Sequence, residues 1–116
     1  MATARNGLHS MNLWDMTSEI REVNEANGWF DTERSFGDDI ALLHSEVSEA
    51  YEAWRQWGTR DATHAGKPEG VGSELADVLI RTLDTAYRAG VDLEAEYRRK
   101  IAFNRTCGYH HGGKAT

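Results

Sequence analysis

Two pairs of acidic residues with helical spacing are the part of this sequence best suited to chemistry. Glu46 and Glu49 form the first pair, and Glu74 and Asp77 form the second. Because residues three apart lie on neighbouring positions of a helix surface, both carboxylates of a pair project from one side of their helix. Each pair also borders apolar positions, so packing of the two apolar faces would bring four carboxylates into one groove. Their repulsion and loss of hydration would be relieved by a bound cation.

The ligand type favours a hard divalent cation. Mg²⁺, Mn²⁺ and Ca²⁺ prefer oxygen ligands, whereas zinc favours histidine and cysteine. Mg²⁺ held by a few carboxylates keeps several waters and binds substrate phosphates. One acidic pair alone is commonly a solvated helix face, and Glu52, Asp84 and Glu94 are interpreted in that way. A dinuclear iron bundle needs Glu-x-x-His on two helices, and the third positions here are Glu49 and Asp77 instead.

Apolar residues at three- and four-residue steps predict the helices that would carry these pairs. The predicted ranges are about 17–27, 35–57, 71–89 and 92–104, with Thr17 or Ser18 capping the first helix. Ser35 with Asp38 predicts a capping box at the start of the second. No alternating β-branched run occurs, and no Asn-Gly or Asp-Gly hairpin dipeptide joins two such runs, so 58–70 is predicted to be a loop. The expected fold is all-α and four-helix-bundle-like.

Length, charge and cysteine content limit the class of protein. The 116 residues fit one domain, 1–116, whose N-terminal extension 1–15 and flexible C-terminal tail 106–116 are expected to be less ordered. A net charge of −6 argues against a protein that binds nucleic acid through the phosphate backbone. The single Cys107 excludes an intrachain disulfide and suits a cytoplasmic protein. No signal peptide or spanning apolar run is expected, and so no membrane partner.

Longer motifs connect the acidic pairs to a known family. The segments LLHSEVSEAYEAWRQW and KPEGVGSELADVLIRTLD resemble the MazG-like nucleotide pyrophosphohydrolases of the all-α NTP pyrophosphatase superfamily. The family signature, Glu-Glu-x-x-Glu followed by Glu-x-x-Asp, corresponds here to Ser45-Glu46-x-x-Glu49 and Glu74-x-x-Asp77. The resemblance extends through EYRRKIAFNRT to HGGK and so covers most of the chain from Asn27 onward.

The resemblance implies a MazG-type fold and a magnesium-dependent activity. It implies that a nucleoside or deoxynucleoside triphosphate is cleaved between its α- and β-phosphates, giving the monophosphate and pyrophosphate. It further implies at least a dimer, and we expect a homodimer or homotetramer. The expected metal ligands, for Mg²⁺ or for Mn²⁺ in its place, are Glu46, Glu49, Glu74 and Asp77. The expected substrate-binding residues are Lys100, Asn104, Lys114 and, chosen as aromatic side chains for the nucleobase, Trp29 and Tyr109.

Two departures from the family pattern bear on catalysis. Ser45 stands where relatives carry the first Glu of the doubled pair, which leaves the number of metal ions open. Cys107-Gly108 replaces an Arg-Pro that related tails carry before the aromatic residue. Glu46 or Glu49 remains the candidate to position or deprotonate the attacking water. The alternative interpretation is a helical interaction module that keeps the fold and lacks catalysis.

Overall fold

The computed structural model describes residues 11–28 and 33–107, and most of them are helical. The elements in chain order are α1 (Leu13–Ala26), α2 (Phe36–Trp57), β1 (Ala62–His64), β2 (Lys67–Glu69), α3 (Val71–Arg88) and α4 (Leu93–Cys107). This confirms the predicted mostly helical, bundle-like architecture. None of the described helices has the combination of length and apolar character that crossing a membrane requires.

The start of α2 has the predicted capping box. The Ser35 hydroxyl accepts from the Asp38 amide at 3.1 Å, and the Asp38 carboxylate accepts from the Ser35 amide at 3.0 Å. Two backbone donors at the helix start are thereby satisfied. At the other end Gly58, with a φ of 65°, follows the last helical residue. At the start of α4 the Asp92 carboxylate likewise accepts from a backbone donor, the Ala95 amide, at 3.1 Å.

The start of α1 differs from the prediction. Asn12 caps the helix by accepting from the Asp15 amide at 2.8 Å, so α1 begins one turn earlier than expected. Thr17 is buried inside the helix and does not cap it. Residues 13–15 of the predicted extension are thus helical, as are residues 106–107 of the predicted tail.

A short β-hairpin occupies part of the segment that was predicted to be a loop. Strands β1 and β2 pair antiparallel with His64 opposite Lys67, so the turn consists of Ala65 and Gly66. Both turn residues have positive φ, 53° and 82°, as a tight two-residue hairpin turn requires. Three-residue strands are too short to show alternation, and Ala-Gly is not one of the dipeptides that mark such turns. The prediction of no strands was wrong for this reason.

Two ion pairs set the register of α2 against α3. Asp39 pairs with Arg88 at 3.3 Å, and Glu46 pairs with Arg81 at 3.0 Å. Glu46 follows Asp39 by seven residues on α2, whereas its partner Arg81 precedes Arg88 by seven residues on α3. The two helices therefore run antiparallel. In this register the acidic pair of α2 lies beside the acidic pair of α3. Helix α3 packs on α1 as well as on α2, whereas α4 makes at most isolated contacts with the other described elements.

The interior between these helices is small and partly ionic. Among the described residues, the buried apolar side chains are Ala50, Ala53 and Leu83. Asp84, interpreted from the sequence as an ordinary surface acid, is instead buried and pairs with Arg21 of α1 at 3.3 Å. The interpretation was wrong because Asp84 lies on the side of α3 that faces α1, and a buried carboxylate needs a cationic partner.

Candidate metal centre

Three of the four predicted carboxylate ligands lie together between α2 and α3. Glu46, Glu74 and Asp77 each offer an oxygen, and these oxygens lie within 4.8 Å of one another. Glu46 and Glu74 are half-buried, and Asp77 is exposed. The spacing along each helix and the antiparallel register together produce this arrangement. The cluster therefore has one open side, from which water and a substrate can approach.

The donor set and its spacing fit a hard divalent cation. Oxygens around a six-coordinate Mg²⁺ lie about 2.9 Å apart when adjacent and about 4.1 Å apart when opposite, from an Mg–O distance of about 2.05 Å. The three carboxylate oxygens are within 4.8 Å of one another. At least two of the three oxygen pairs would be adjacent around Mg²⁺, so these separations would shorten by up to about 2 Å, divided between two side chains. Three carboxylates leave coordination positions for water and phosphate oxygens, which is the usual arrangement for Mg²⁺.

Glu49 lies beside this cluster but not within the three-residue ligand group. Its side chain is exposed on α2, one turn after Glu46. Its negative charge nevertheless contributes to raising the pKa of Glu74, so the two carboxylates act on one another across α2 and α3. Glu49 is thus a neighbour of the cluster and not a member of the three-carboxylate group.

Electrostatic strain in the metal-free cluster is visible at Glu74. Burial raises the pKa of this carboxyl above its ordinary value, and the negative charges of Asp77, Glu49 and Glu46 raise it further. Lys67 of β2 lowers it, so an ammonium group lies close enough to act on the cluster. The hairpin is fixed there because the Ser73 hydroxyl donates to the Pro68 carbonyl at 3.2 Å. Removing one negative charge from the cluster should stabilise the metal-free protein.

The raised pKa gives a prediction with a definite sign. A carboxyl whose pKa is higher in the folded chain stabilises the fold at low pH and loses this contribution as the pH rises through its folded pKa. In EDTA, Glu74→Gln is therefore expected to melt at a higher temperature than the parent protein at about pH 7. The difference should shrink towards about pH 4, where glutamates become protonated. Circular dichroism melting curves measure this, and a lower melting temperature for Glu74→Gln at neutral pH would contradict it.

Arg81 is a member of the site that was not predicted. Its Nη2 donates to Glu46 Oε2 at 3.0 Å, and both side chains are largely buried, with exposures of 15% and 18%. Arg81 lies four residues after Asp77, on the same side of α3 as the acidic pair. The sequence signal that could have identified Arg81 is a basic residue one turn after the Glu-x-x-Asp motif. Its partner could not be chosen before the register with α2 was known.

The structure describes two of the five predicted substrate-binding residues. Lys100 and Asn104 lie one turn apart on the exposed side of α4, and none of the described ion pairs joins Lys100 to a carboxylate. Trp29, Tyr109 and Lys114 lie outside the described residues. The roles of these five residues stay predictions.

Comparisons with known proteins do not assign this chain to a family. No family model matches this chain, and neither the curated proteins nor the solved structures yield a match. The resemblance to MazG-like pyrophosphohydrolases therefore rests on the acidic motifs and the GKPEGV and ELADVLIR segments. What the structure adds independently is the proximity of carboxylates from both motifs.

Proposed function

We propose that this protein is a Mg²⁺-dependent nucleoside triphosphate pyrophosphohydrolase. The observation that carries the proposal is the convergence of Glu46 with Glu74 and Asp77, two half-buried carboxylates and one exposed one. Such a cluster is unfavourable without a cation and suited to a cation that carries polyphosphate. The motif resemblance supplies the substrate class and the bond, the anhydride between the α- and β-phosphates.

The residues of the chain divide the reaction between them. Glu46, Glu74 and Asp77 would hold Mg²⁺, with Mn²⁺ as a substitute. When bound, the ion supplies charge neutralisation of the polyphosphate and makes a nearby water more acidic. Glu49, which is exposed on α2 one turn after Glu46, would accept the proton of the water that attacks the α-phosphorus. Attack breaks the bond to the bridging oxygen, and the pyrophosphate leaves with that oxygen.

Lys67 is a candidate for the phosphate side of the groove. Its charge acts on Glu74, and the neighbouring Pro68 carbonyl is tied to the first turn of α3. Gly70 makes this connection possible because a Cβ there would lie 2.9 Å from the Arg60 carbonyl oxygen, and its φ is 103°. An ammonium group at this position would stabilise charge on the leaving pyrophosphate. Lys100 and Lys114 remain further candidates for this role.

An assay of pyrophosphate release distinguishes the enzyme from an inactive interaction module. The full chain is incubated with each ribo- and deoxyribonucleoside triphosphate, first with Mg²⁺ and then with EDTA. We expect release from at least one nucleotide in Mg²⁺, loss of release in EDTA, and recovery when Mg²⁺ or Mn²⁺ is restored. Absence of metal-dependent turnover of every nucleotide would favour the interaction module.

We further propose that two copies of the chain associate through α2, within the homodimer or homotetramer expected from the motifs. Val47, Tyr51 and Trp54 are each more than half exposed, at 52%, 61% and 53%. Their spacing places them in one stripe on a flank of α2. Tyr51 and Trp54 also stack on one another, with ring centroids 6.1 Å apart. Exposed aromatic stripes beside so small a core are characteristic of subunit interfaces. With its single cysteine, such an oligomer suits the cytoplasm.

Introducing a charge into the stripe tests the proposed association. Tyr51→Arg is expected to convert the oligomer into a monomer, because a desolvated guanidinium without a partner opposes burial of the stripe. Light scattering after size-exclusion chromatography gives the mass. The matched control is Gln56→Arg, an exposed position about half a turn around α2 from the stripe. If the parent chain is already monomeric, or if both variants keep the parent mass, the stripe is not the interface.

A further inference from the structure

We infer that Arg81 is a positioning residue that holds Glu46 as a metal ligand. The inference rests on the proposed metal centre and adds a residue to it. The Arg81 guanidinium contacts Glu46 from α3, the helix that also carries Glu74 and Asp77. One side chain thus ties the ligand of α2 to the two ligands of α3.

The contact leaves Glu46 able to bind a cation. Arg81 Nη2 donates to Glu46 Oε2, and a carboxylate has a second oxygen with lone pairs of its own. The cluster of Glu46, Glu74 and Asp77 needs only one oxygen from each residue to bind a cation. Glu46 can therefore pair with Arg81 through one oxygen and bind a cation through the other. A hydrogen bond to a ligating carboxylate fixes its orientation, which is the usual task of groups just outside a metal's ligands.

The charge of Arg81 alone would have the opposite effect on metal affinity. A guanidinium beside an acidic cluster repels a divalent cation, so its removal should tighten cation binding if only the field mattered. If Arg81 instead orients Glu46, its removal should weaken binding because the freed glutamate loses its fixed conformation. The sign of the change therefore separates the two roles.

The side chains available at position 81 make the test specific. Arg81→Gln removes the charge and shortens the side chain, whereas Arg81→Lys keeps a charge and a donor for Glu46. The matched control is Arg98→Gln, because Arg98 is exposed on α4 and pairs only locally, with Glu94 at 3.1 Å.

Titration of the full-length, metal-free protein with Mn²⁺, followed by the electron paramagnetic resonance signal of free Mn²⁺, gives the affinity without any activity assay. We expect Arg81→Gln to bind Mn²⁺ about 10- to 100-fold more weakly than the parent chain. Arg81→Lys should stay nearer to the parent value, and Arg98→Gln should equal it. Equal or tighter binding by Arg81→Gln would overturn the inference, as would a loss in Arg98→Gln as large as that in Arg81→Gln.

Two further outcomes keep the test interpretable. If Arg81→Gln does not fold, as judged by circular dichroism, Arg81→Met takes its place, because it also removes the charge and the donor to Glu46. Weaker Mn²⁺ binding by Arg81→Met upholds the inference, and equal or tighter binding overturns it. Failure of the parent chain to bind Mn²⁺ would contradict the proposed metal centre itself and with it this inference. A parent chain that binds Mn²⁺, with variants that bind as well or better, would contradict the role of Arg81 alone.

Discussion

Replacing Asp77 by Asn is expected to lower the kcat/KM for nucleoside triphosphate hydrolysis by at least about 100-fold while leaving the fold intact. Mutation of a group that only supports a metal ligand already lowers metal affinity or activity by about 10- to 100-fold. Loss of a charged ligand should therefore lower activity by at least about 100-fold. The fold should tolerate the change because Asp77 is exposed and its negative charge raises the pKa of Glu74. Asparagine keeps the size and removes the charge.

The matched control for this variant is Glu52→Gln. Glu52 is an exposed acid on α2 whose partner is Arg55, 3.9 Å away on the same helix. The change removes one negative charge at a distance from the cluster, so the kcat/KM should stay within about twofold of the parent value. Steady-state kinetics and circular dichroism are measured on both variants. Unchanged activity in Asp77→Asn, or unfolding of that variant, would show that Asp77 is not a metal ligand of the proposed kind.

The second large effect is expected on stability, from Asp39→Ala. Asp39 is buried, at 4% exposure, and its two oxygens pair with Arg34 Nε at 2.9 Å and Arg88 Nε at 3.3 Å. Arg88 Nη2 also donates to the Arg34 carbonyl oxygen, at 3.3 Å. Removing the carboxylate leaves two largely buried guanidinium groups without their common anion. The free energy of unfolding should fall by about 3–5 kcal/mol, a large share of the about 5–15 kcal/mol of a typical domain.

Urea denaturation of the metal-free protein measures this effect. Protein concentration is held equal between variants, because association contributes to apparent stability. The control is Asp38→Ala, which removes one side of the capping box of α2 and should cost about 1 kcal/mol. A loss of less than about 1 kcal/mol in Asp39→Ala would contradict an ionic anchor between the start of α2 and the end of α3.

The helices of this fold were largely predictable from local signals. Helix α2 begins at its capping box and ends before Gly58, and α3 ends before a glycine in the left-handed region, Gly90, with a φ of 74°. Where two or more residues could serve as a cap, as at the start of α1, local chemistry did not decide between them. The hairpin was missed because its three-residue strands are shorter than the four or more residues over which alternation can be recognised.

The candidate site was predictable to the extent that it depends on spacing within one helix. The acidic pairs of α2 and α3 were found in this way, and packing of their apolar faces correctly suggested that Glu46 meets Glu74 and Asp77. The arginine partners were not found, because a partner across two helices depends on their register. Asp84 shows the same limit: its spacing resembles that of a surface acid, and only the packing of α3 on α1 reveals its burial.

The central claim is most directly tested by phosphorus-31 NMR of the products formed from a hydrolysed nucleoside triphosphate in Mg²⁺. We predict equal amounts of nucleoside monophosphate and pyrophosphate from the parent chain and from Glu52→Gln, and neither product from Asp77→Asn or from the parent chain in EDTA. Release of nucleoside diphosphate and orthophosphate would contradict cleavage between the α- and β-phosphates. Hydrolysis that persists in EDTA would contradict a metal centre built on Glu46, Glu74 and Asp77.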